Sequence, residues 1–155
     1  MKDVNVANFA RAESDVAIRK MNDMVGLGTW IHFRAPTPID QQKVIRMNRD
    51  TLYSSAVLDL SEPATVIMPE TSGRYQSLHV ISQDHYSYAK TEPGRYELTQ
   101  ENVGSRYAYL IVRTFFDAND PDDLKATNAL QDAIRIEGGG SGELDIPDWN
   151  IEQMM

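Results

Sequence analysis

Thr51-Leu52-Tyr53-Ser54-Ser55-Ala56-Val57-Leu58-Asp59-Leu60 is the stretch whose reading decides the fold. It is a β-favouring run, and in an extended chain its side chains alternate between two faces. On that alternation Asn48, Asp50, Leu52 and Ser54 point one way, and Arg49, Thr51, Tyr53 and Ser55 the other. Downstream the period of two recurs in Ala64 to Met68, Tyr75 to Gln83, Tyr86 to Lys90, Arg95 to Thr99 and Tyr107 to Phe116. Pro63, Gly73, Pro93-Gly94 and Gly104 separate these runs. Without helices between them, they predict an antiparallel sheet or partial sandwich of about six strands.

Upstream, residues 5–24 read as a helix, with Phe9, Ala17, Met21 and Met24 at spacings of three and four and Val6 and Val16 beside them. Gly26 and Gly28 stop it. Trp30-Ile31-His32-Phe33, a Pro36/Pro38 breaker and Val44-Ile45 follow, so residues 28–116 are mainly β. A second helix is expected over 121–137, with Asp120 as N-cap and Pro121 at the first helical position. Gly138-Gly139-Gly140-Ser141-Gly142 reads as a flexible linker, and residues 138–155 as linker plus extended tail. The fold class is α+β: an N-terminal helix packed on the sheet, with a second helix near the C-terminus.

A chain of 155 residues fits one domain and buries roughly two-thirds of its unfolded surface on folding. Net charge is −8 and the Lys and Arg residues are scattered. The densest basic group, Lys43, Arg46 and Arg49, is mixed with Asp40 and Asp50, which disfavours nucleic acid or an anionic membrane as partner. The absence of cysteine removes disulfides, thiolate metal sites and a cysteine nucleophile. No segment approaches the roughly 20 apolar residues of a membrane span, and Met1-Lys2-Asp3-Val4-Asn5 lacks the apolar run of a signal peptide. A cytoplasmic location is the expectation if this start is native.

Asn48-Arg49-Asp50-Thr51-Leu52-Tyr53-Ser54 crowds amide, guanidinium, carboxylate and phenol groups at the entrance of an apolar strand. Together with Asp59-Leu60 and Arg74-Tyr75 it resembles the signature of a bacterial family known as domain of unknown function 1254. The resemblance extends through Asp84-His85-Tyr86, Tyr96, Leu98-Thr99, Arg106-Tyr107, Arg113-Thr114, Asp120-Pro121 and Ala129 to Ile134. It implies the first part of a longer two-domain protein, continuing past Pro147-Asp148-Trp149 into a helical segment and a second β-rich domain. It implies no activity.

The expected ligand-binding residues are Asn48, Arg49, Asp50, Tyr53, Arg74 and His85. Asn48 and Asp50 offer oxygen ligands for a small molecule or a divalent cation, or they cap loop backbone. Asp50 is expected to be mostly buried with at least two hydrogen bonds. Ser77, His79, Ile81, Gln83 and His85 share one strand face, where His85 beside Asp84 suits acid/base work or, with His79, zinc. The blander reading is a histidine bonded to backbone. Glu13 interrupts the apolar face of the first helix and is expected to pair with Arg49 or Arg74.

Three function classes fit. The first is a small-molecule-binding domain of a larger protein. The second is a hydrolase acting on a small ester-like substrate, with Asp50 or His85 as catalytic acid/base and a divalent cation as possible cofactor; Ser54 and Ser55 lie nearby, but no nucleophile elbow is present. The third is an interaction domain without catalysis. The tail, with Trp149, Met154 and Met155, is expected to expose apolar surface that leads to a homo-oligomer or docks a missing C-terminal domain.

Overall fold

The computed structural model describes residues 1–41 and 48–154. Val44, Ile45 and the basic pair Lys43 and Arg46 lie outside the described residues. Helix α1 (Phe9–Val25) is followed by β1 (Ile31–His32), β2 (Thr51–Met68), β3 (Gln76–Ser82), β4 (Ser87–Lys90) and β5 (Gly94–Leu98). Then come α2 (Gln100–Val103), β6 (Tyr107–Phe115), α3 (Asp123–Asp132) and β7 (Arg135–Gly140), with 3-10 turns at Ile39–Gln41 and Ile151–Met154. The molecule is α+β, and its sheet is antiparallel with seven strands.

The central strand is β2. Its first half is paired with β6 over Thr51 to Asp59, and β1 lies on its other side at Ser54 and Ser55. Its second half, Ala64 to Met68, lies between β5 and β7. The register shifts between Asp59 and Ala64, where Ser61, Glu62 and Pro63 are exposed. A proline cannot donate to a ladder, so the break belongs there.

Alternation sorts the side chains by parity. Ala56, Leu58, Leu60, Ala64, Val66 and Met68 meet Leu78, Val80, Ala108, Leu110 and Val112 in the main core, closed by Leu98, Val103 and Ile134. The odd-numbered residues of β2, β3 and β6 face the other way. At one end of that face Ile18 and Met21 of α1 cover Val57 and Tyr107. At the other end no helix among the described residues covers the face.

Several expectations are corrected. The buried stripe of α1 is Ala12, Ser14, Asp15, Ile18 and Met21, whereas Phe9 is 42% and Met24 59% exposed. The stripe includes a carboxylate because Asp15 accepts hydrogen bonds from Gln83 Nε2 (2.6 Å) and Trp149 Nε1 (2.9 Å), which a hydropathy pattern does not register. Glu13 is exposed and stands 3.5 Å from His85 Nε2, not beside Arg49 or Arg74.

The second helix stops at Asp132, short of 137, and its N-cap is Asp122; Asp120 instead accepts from the Asp122 amide at 2.9 Å. The glycine run is no linker, because Gly138, Gly139 and Gly140 belong to β7 and run against β2. A Cβ on Gly138 would stand 2.6 Å from the Pro63 carbonyl oxygen, and one on Gly140 would meet the Ser61 hydroxyl and the Asp59 carboxylate. Close backbone approach, not flexibility, requires the glycines.

Part of the tail is likewise covered, although Ile151 is 54% exposed. Trp149 is 4% exposed and packs with Val4 and Ala12, and Met154 lies partly buried beside them; Met155 lies outside the described residues. The Lys2 amide donates to the Asp148 carbonyl (2.6 Å), the Asn150 amide to the Lys2 carbonyl (2.9 Å), and Lys2 Nζ lies 4.6 Å from the Trp149 ring centroid. The N-terminal segment thus covers Trp149, which the sequence reading expected to be exposed. Among the described residues no helix is long and apolar enough to cross a membrane.

Candidate functional site

The open end of the odd-numbered sheet face carries rows set by strand register: Ser77, Arg113 and Tyr53 in one, and His79, Ile111, Ser55 and Ile31 in the next. The Phe33–Thr37 segment leaves β1, held by the Phe33 amide donating to the Tyr53 carbonyl at 2.8 Å. It forms the far wall of a 220 Å³ cleft over Thr51, Tyr53, Ser55 and Ile111, with Asn48 at its rim. A second cleft lies beside it between α1 and the sheet, lined by Glu13, Ala17, Ile81, His85 and Tyr109, and Ile111 is common to both.

The signature segment builds the strand entrance. Asn48 Oδ1 accepts from the Asp50 amide (2.7 Å) and its Nδ2 donates to Thr51 Oγ1 (3.0 Å), so this side chain closes a turn. Arg49 is exposed and donates to the Thr37 carbonyl at 3.2 Å, tying the cleft wall to the strand entrance. Asp50 is exposed, contrary to expectation. Its backbone bonds Asn48 and Phe116, but its carboxylate accepts no hydrogen bond from the described residues. The turn is satisfied through Asn48, so no buried acceptor is needed from Asp50.

The other expected residues are dispersed. Tyr53 lies on the cleft wall. Arg74 stands apart, donating to Asp123, to Thr127 Oγ1 (3.2 Å) and to the Phe115 carbonyl (2.9 Å); it fastens α3 to the sheet edge. The paired guanidinium and the Asp117 amide hold the Asp123 carboxyl at about 2. His85 lies past the end of β3 in a left-handed conformation (φ 64°) and lines the second cleft, so it does not share a strand face with His79. Among the described residues no group of three His, Cys, Asp or Glu side chains is placed to hold a metal ion.

Several polar groups escaped the sequence reading. Ser54 Oγ lies 2.7 Å from His32 Nδ1, the spacing of a nucleophile and its base, but Ser54 is fully buried on the core side and also accepts from Gln131 Nε2 (3.3 Å). Asp59, marked only as a family residue, is buried and accepts from both Nε and Nη2 of Arg106 at 3.0 Å. Burial pushes its carboxyl up, yet Arg106 and the Ser61 amide together hold it below the ordinary range. Arg113 and His79 lie together on the open face, and burial and then the Arg113 charge push the His79 imidazole down. Alternation from Ser77 had already put His79 on its strand face, and alternation from Tyr107 was the signal that could have placed Arg113 beside it.

No curated protein matches this chain. The fold is similar to that of the VPA0106 protein from Vibrio parahaemolyticus, with a TM-score of 0.68, 18% sequence identity and 91% of this chain covered. The alignment takes in 40% of that protein, so the chain spans well under half of its length. The model of a family described as protein of unknown function (DUF1254) matches residues 27–138, more than half of the chain, and the protein belongs to that family.

Proposed function

We propose that this is a small-molecule-binding domain, the first part of a longer two-domain bacterial protein, with its ligand in the cleft between the Phe33–Thr37 segment and the open sheet face. The observation that carries the reading is the character of the cleft. Apolar walls from Phe33, Pro36 and Ile111 surround a few convergent polar groups, the Thr51 and Ser55 hydroxyls and the Asn48 amide. That is the usual make-up of a ligand site. At 220 Å³ the cleft is smaller than most drug-sized sites, which run from roughly 300 Å³ upward, so the group it takes is about the size of one ring.

Binding is favoured over ester hydrolysis because the Ser54–His32 contact is enclosed in the core, where no substrate reaches the hydroxyl. The net charge of −8 supports, as part of the same proposal, a domain without nucleic-acid or anionic-membrane partners. The test is a titration of benzyl alcohol followed by backbone amide resonances. Saturable shifts confined to Thr51, Tyr53, Ser55 and Ile111, lost in Ser55→Leu, are expected. Shifts absent from those amides, or scattered over the surface, would overturn the reading.

A further inference from the structure

The 220 Å³ cleft and its 340 Å³ neighbour share more than a boundary. Ile111 lines both, and the ladder runs unbroken beneath them: Tyr53, Ser55 and Val57 on β2 lie opposite Arg113, Ile111 and Tyr109 on β6, and Tyr109 lies opposite Ile81 on β3. Residues two apart on a strand point the same way, so Ile111 of both clefts and Tyr109 of the second are neighbours on one face. Burial pushes the Tyr109 phenol up, and the nearby Ser55 hydroxyl of the first cleft partly offsets this. The Phe33–Thr37 segment walls the first cleft and α1 the second, which makes them two stretches of one groove with the sheet as its floor. From the row of Tyr53 to that of Tyr109 the groove follows β6 from residue 113 to residue 109, roughly 13 Å at the rise of a strand.

The two ends of the groove differ in charge. Around the first cleft the polar groups are hydroxyls and the Asn48 amide, all neutral. At the far end stand Glu13 and His85. Of the described residues that line either cleft, Glu13 carries the one carboxylate and none is a lysine or arginine. His85 Nε2, 3.5 Å from Glu13, is a counter-charge only when protonated, and Arg11 on the same helix is paired with Asp84. A left-handed turn past the end of β3 sets His85 on this wall (φ 64°). A neutral imidazole accepts through one ring nitrogen, so carboxylate and imidazole together present acceptors at the end of an apolar groove. The net charge of −8 further favours a cation there.

Resting on the reading of the first cleft as a small-molecule site, we propose that the ligand is a primary amine with an apolar body: its ring-sized end lies over Tyr53 and Ser55, its chain crosses Ile111, and its ammonium is bound by Glu13 with His85 beside it. An ammonium brings three donors and no acceptor, which suits a carboxylate next to an imidazole nitrogen. The charge-assisted hydrogen bond fixes the polar end, while Ala17, Ile81 and Ile111 cover the chain. A ligand with a carboxylate or phosphate at that end is disfavoured, because it would meet Glu13 as a like charge.

Phenylpentylamine and phenylpentanol are matched probes, alike in ring and chain and unlike in charge, and benzyl alcohol reports on the first cleft alone. Each is titrated into the full chain while the backbone amides of Tyr53, Ser55, Ile111, Tyr109 and Ile81 are followed. The amine is expected to shift all of these saturably and to bind about ten-fold or more tighter than phenylpentanol, the scale of one charge-assisted hydrogen bond. Glu13→Gln should erase that preference. Ala17→Phe, which fills the second cleft from an exposed helix position, should reduce the amine to the affinity of benzyl alcohol, with folding of both variants checked by circular dichroism. Shifts that stop at Ile111, equal affinity of amine and alcohol, or a preference that survives Glu13→Gln would overturn the proposal and leave the first cleft standing as a binding site. If no probe moves any of these amides, both readings fall. Pentylamine binding as tightly as phenylpentylamine would also overturn the proposal, by showing Glu13 as a surface charge that takes any amine.

Discussion

Asp15 shows what one buried carboxylate does in this structure. It is 1% exposed and accepts from Trp149 Nε1 and Gln83 Nε2, while Gln83 Oε1 accepts from the Tyr107 amide at 3.1 Å. Helix, sheet and tail meet on this one group. Asp15→Ala strands both donors and is expected to lower stability by about 3 kcal/mol, measured by urea unfolding followed by circular dichroism. A loss below about 1 kcal/mol would mean that water replaces the carboxylate. At Asp123 the effect is one of pH. Its carboxyl is held at about 2, below the ordinary 3.8, by Arg74 first and the Asp117 amide second. The folded state therefore prefers the ionised form; the stabilisation is fully present above pH 3.8 and is lost as pH falls towards 2. Thermal melts across that window should fall more steeply for the wild type than for Asp123→Asn. Parallel curves would show that Arg74 finds other acceptors.

At the scale of elements, β7 follows from glycine geometry and β2 from alternation. Gly138 has φ +77° and its missing Cβ would stand 2.6 Å from the Pro63 carbonyl oxygen. Gly142 has neither a positive φ nor any atom within 4 Å of its missing Cβ. Gly138→Ala is expected to cost about 2 kcal/mol or more, and Gly142→Ala less than about 0.5 kcal/mol. Chemical denaturation of the two variants compares them directly, and equal effects would show that residues 138–140 do not lie on β2 as the ladder requires. The runs Thr51 to Leu60, Ala64 to Met68 and Tyr107 to Phe116 were legible because β-favouring residues alternate there and Pro63 and Gly104 mark the ends. Joining the first two into one strand was not legible. Pro63 breaks a ladder locally, yet the same face is buried on either side of the break, at Leu60 and at Ala64.

At the scale of the molecule, the docked tail removes Trp149 from the apolar surface open to a partner. Trp149 is covered by Val4, Ala12 and Lys2, so the tail leaves no tryptophan face that calls for a second copy. Removing residues 145–155 should recreate that surface: the truncated chain is expected to melt lower and to sediment as larger species than the full chain at micromolar concentration. Identical behaviour of the two chains would mean that the tail adds nothing to the fold. Exposed apolar side chains remain elsewhere, among them Ile39 at 75%, Ile151 at 54%, and Tyr75 at 51% and Phe115 at 42% on the aromatic rim of the open face. Association of the full chain would be expected to use that rim.

By itself the sequence determined the α+β class, the places of the main strands and the family, because strand alternation, turn residues and a contiguous signature are local properties of the chain. It also placed Tyr53, whose strand and parity put it on the open face. Tertiary structure decided the rest. Which stripe of α1 is buried depended on Gln83 and Trp149, distant partners that satisfy Asp15. That the glycine run is a strand depended on how near β2 passes. That Asp50 is exposed and Arg74 a clamp depended on which groups the fold brings together. Spacing along the chain carries no record of pairing between residues 49, 68 or 134 positions apart.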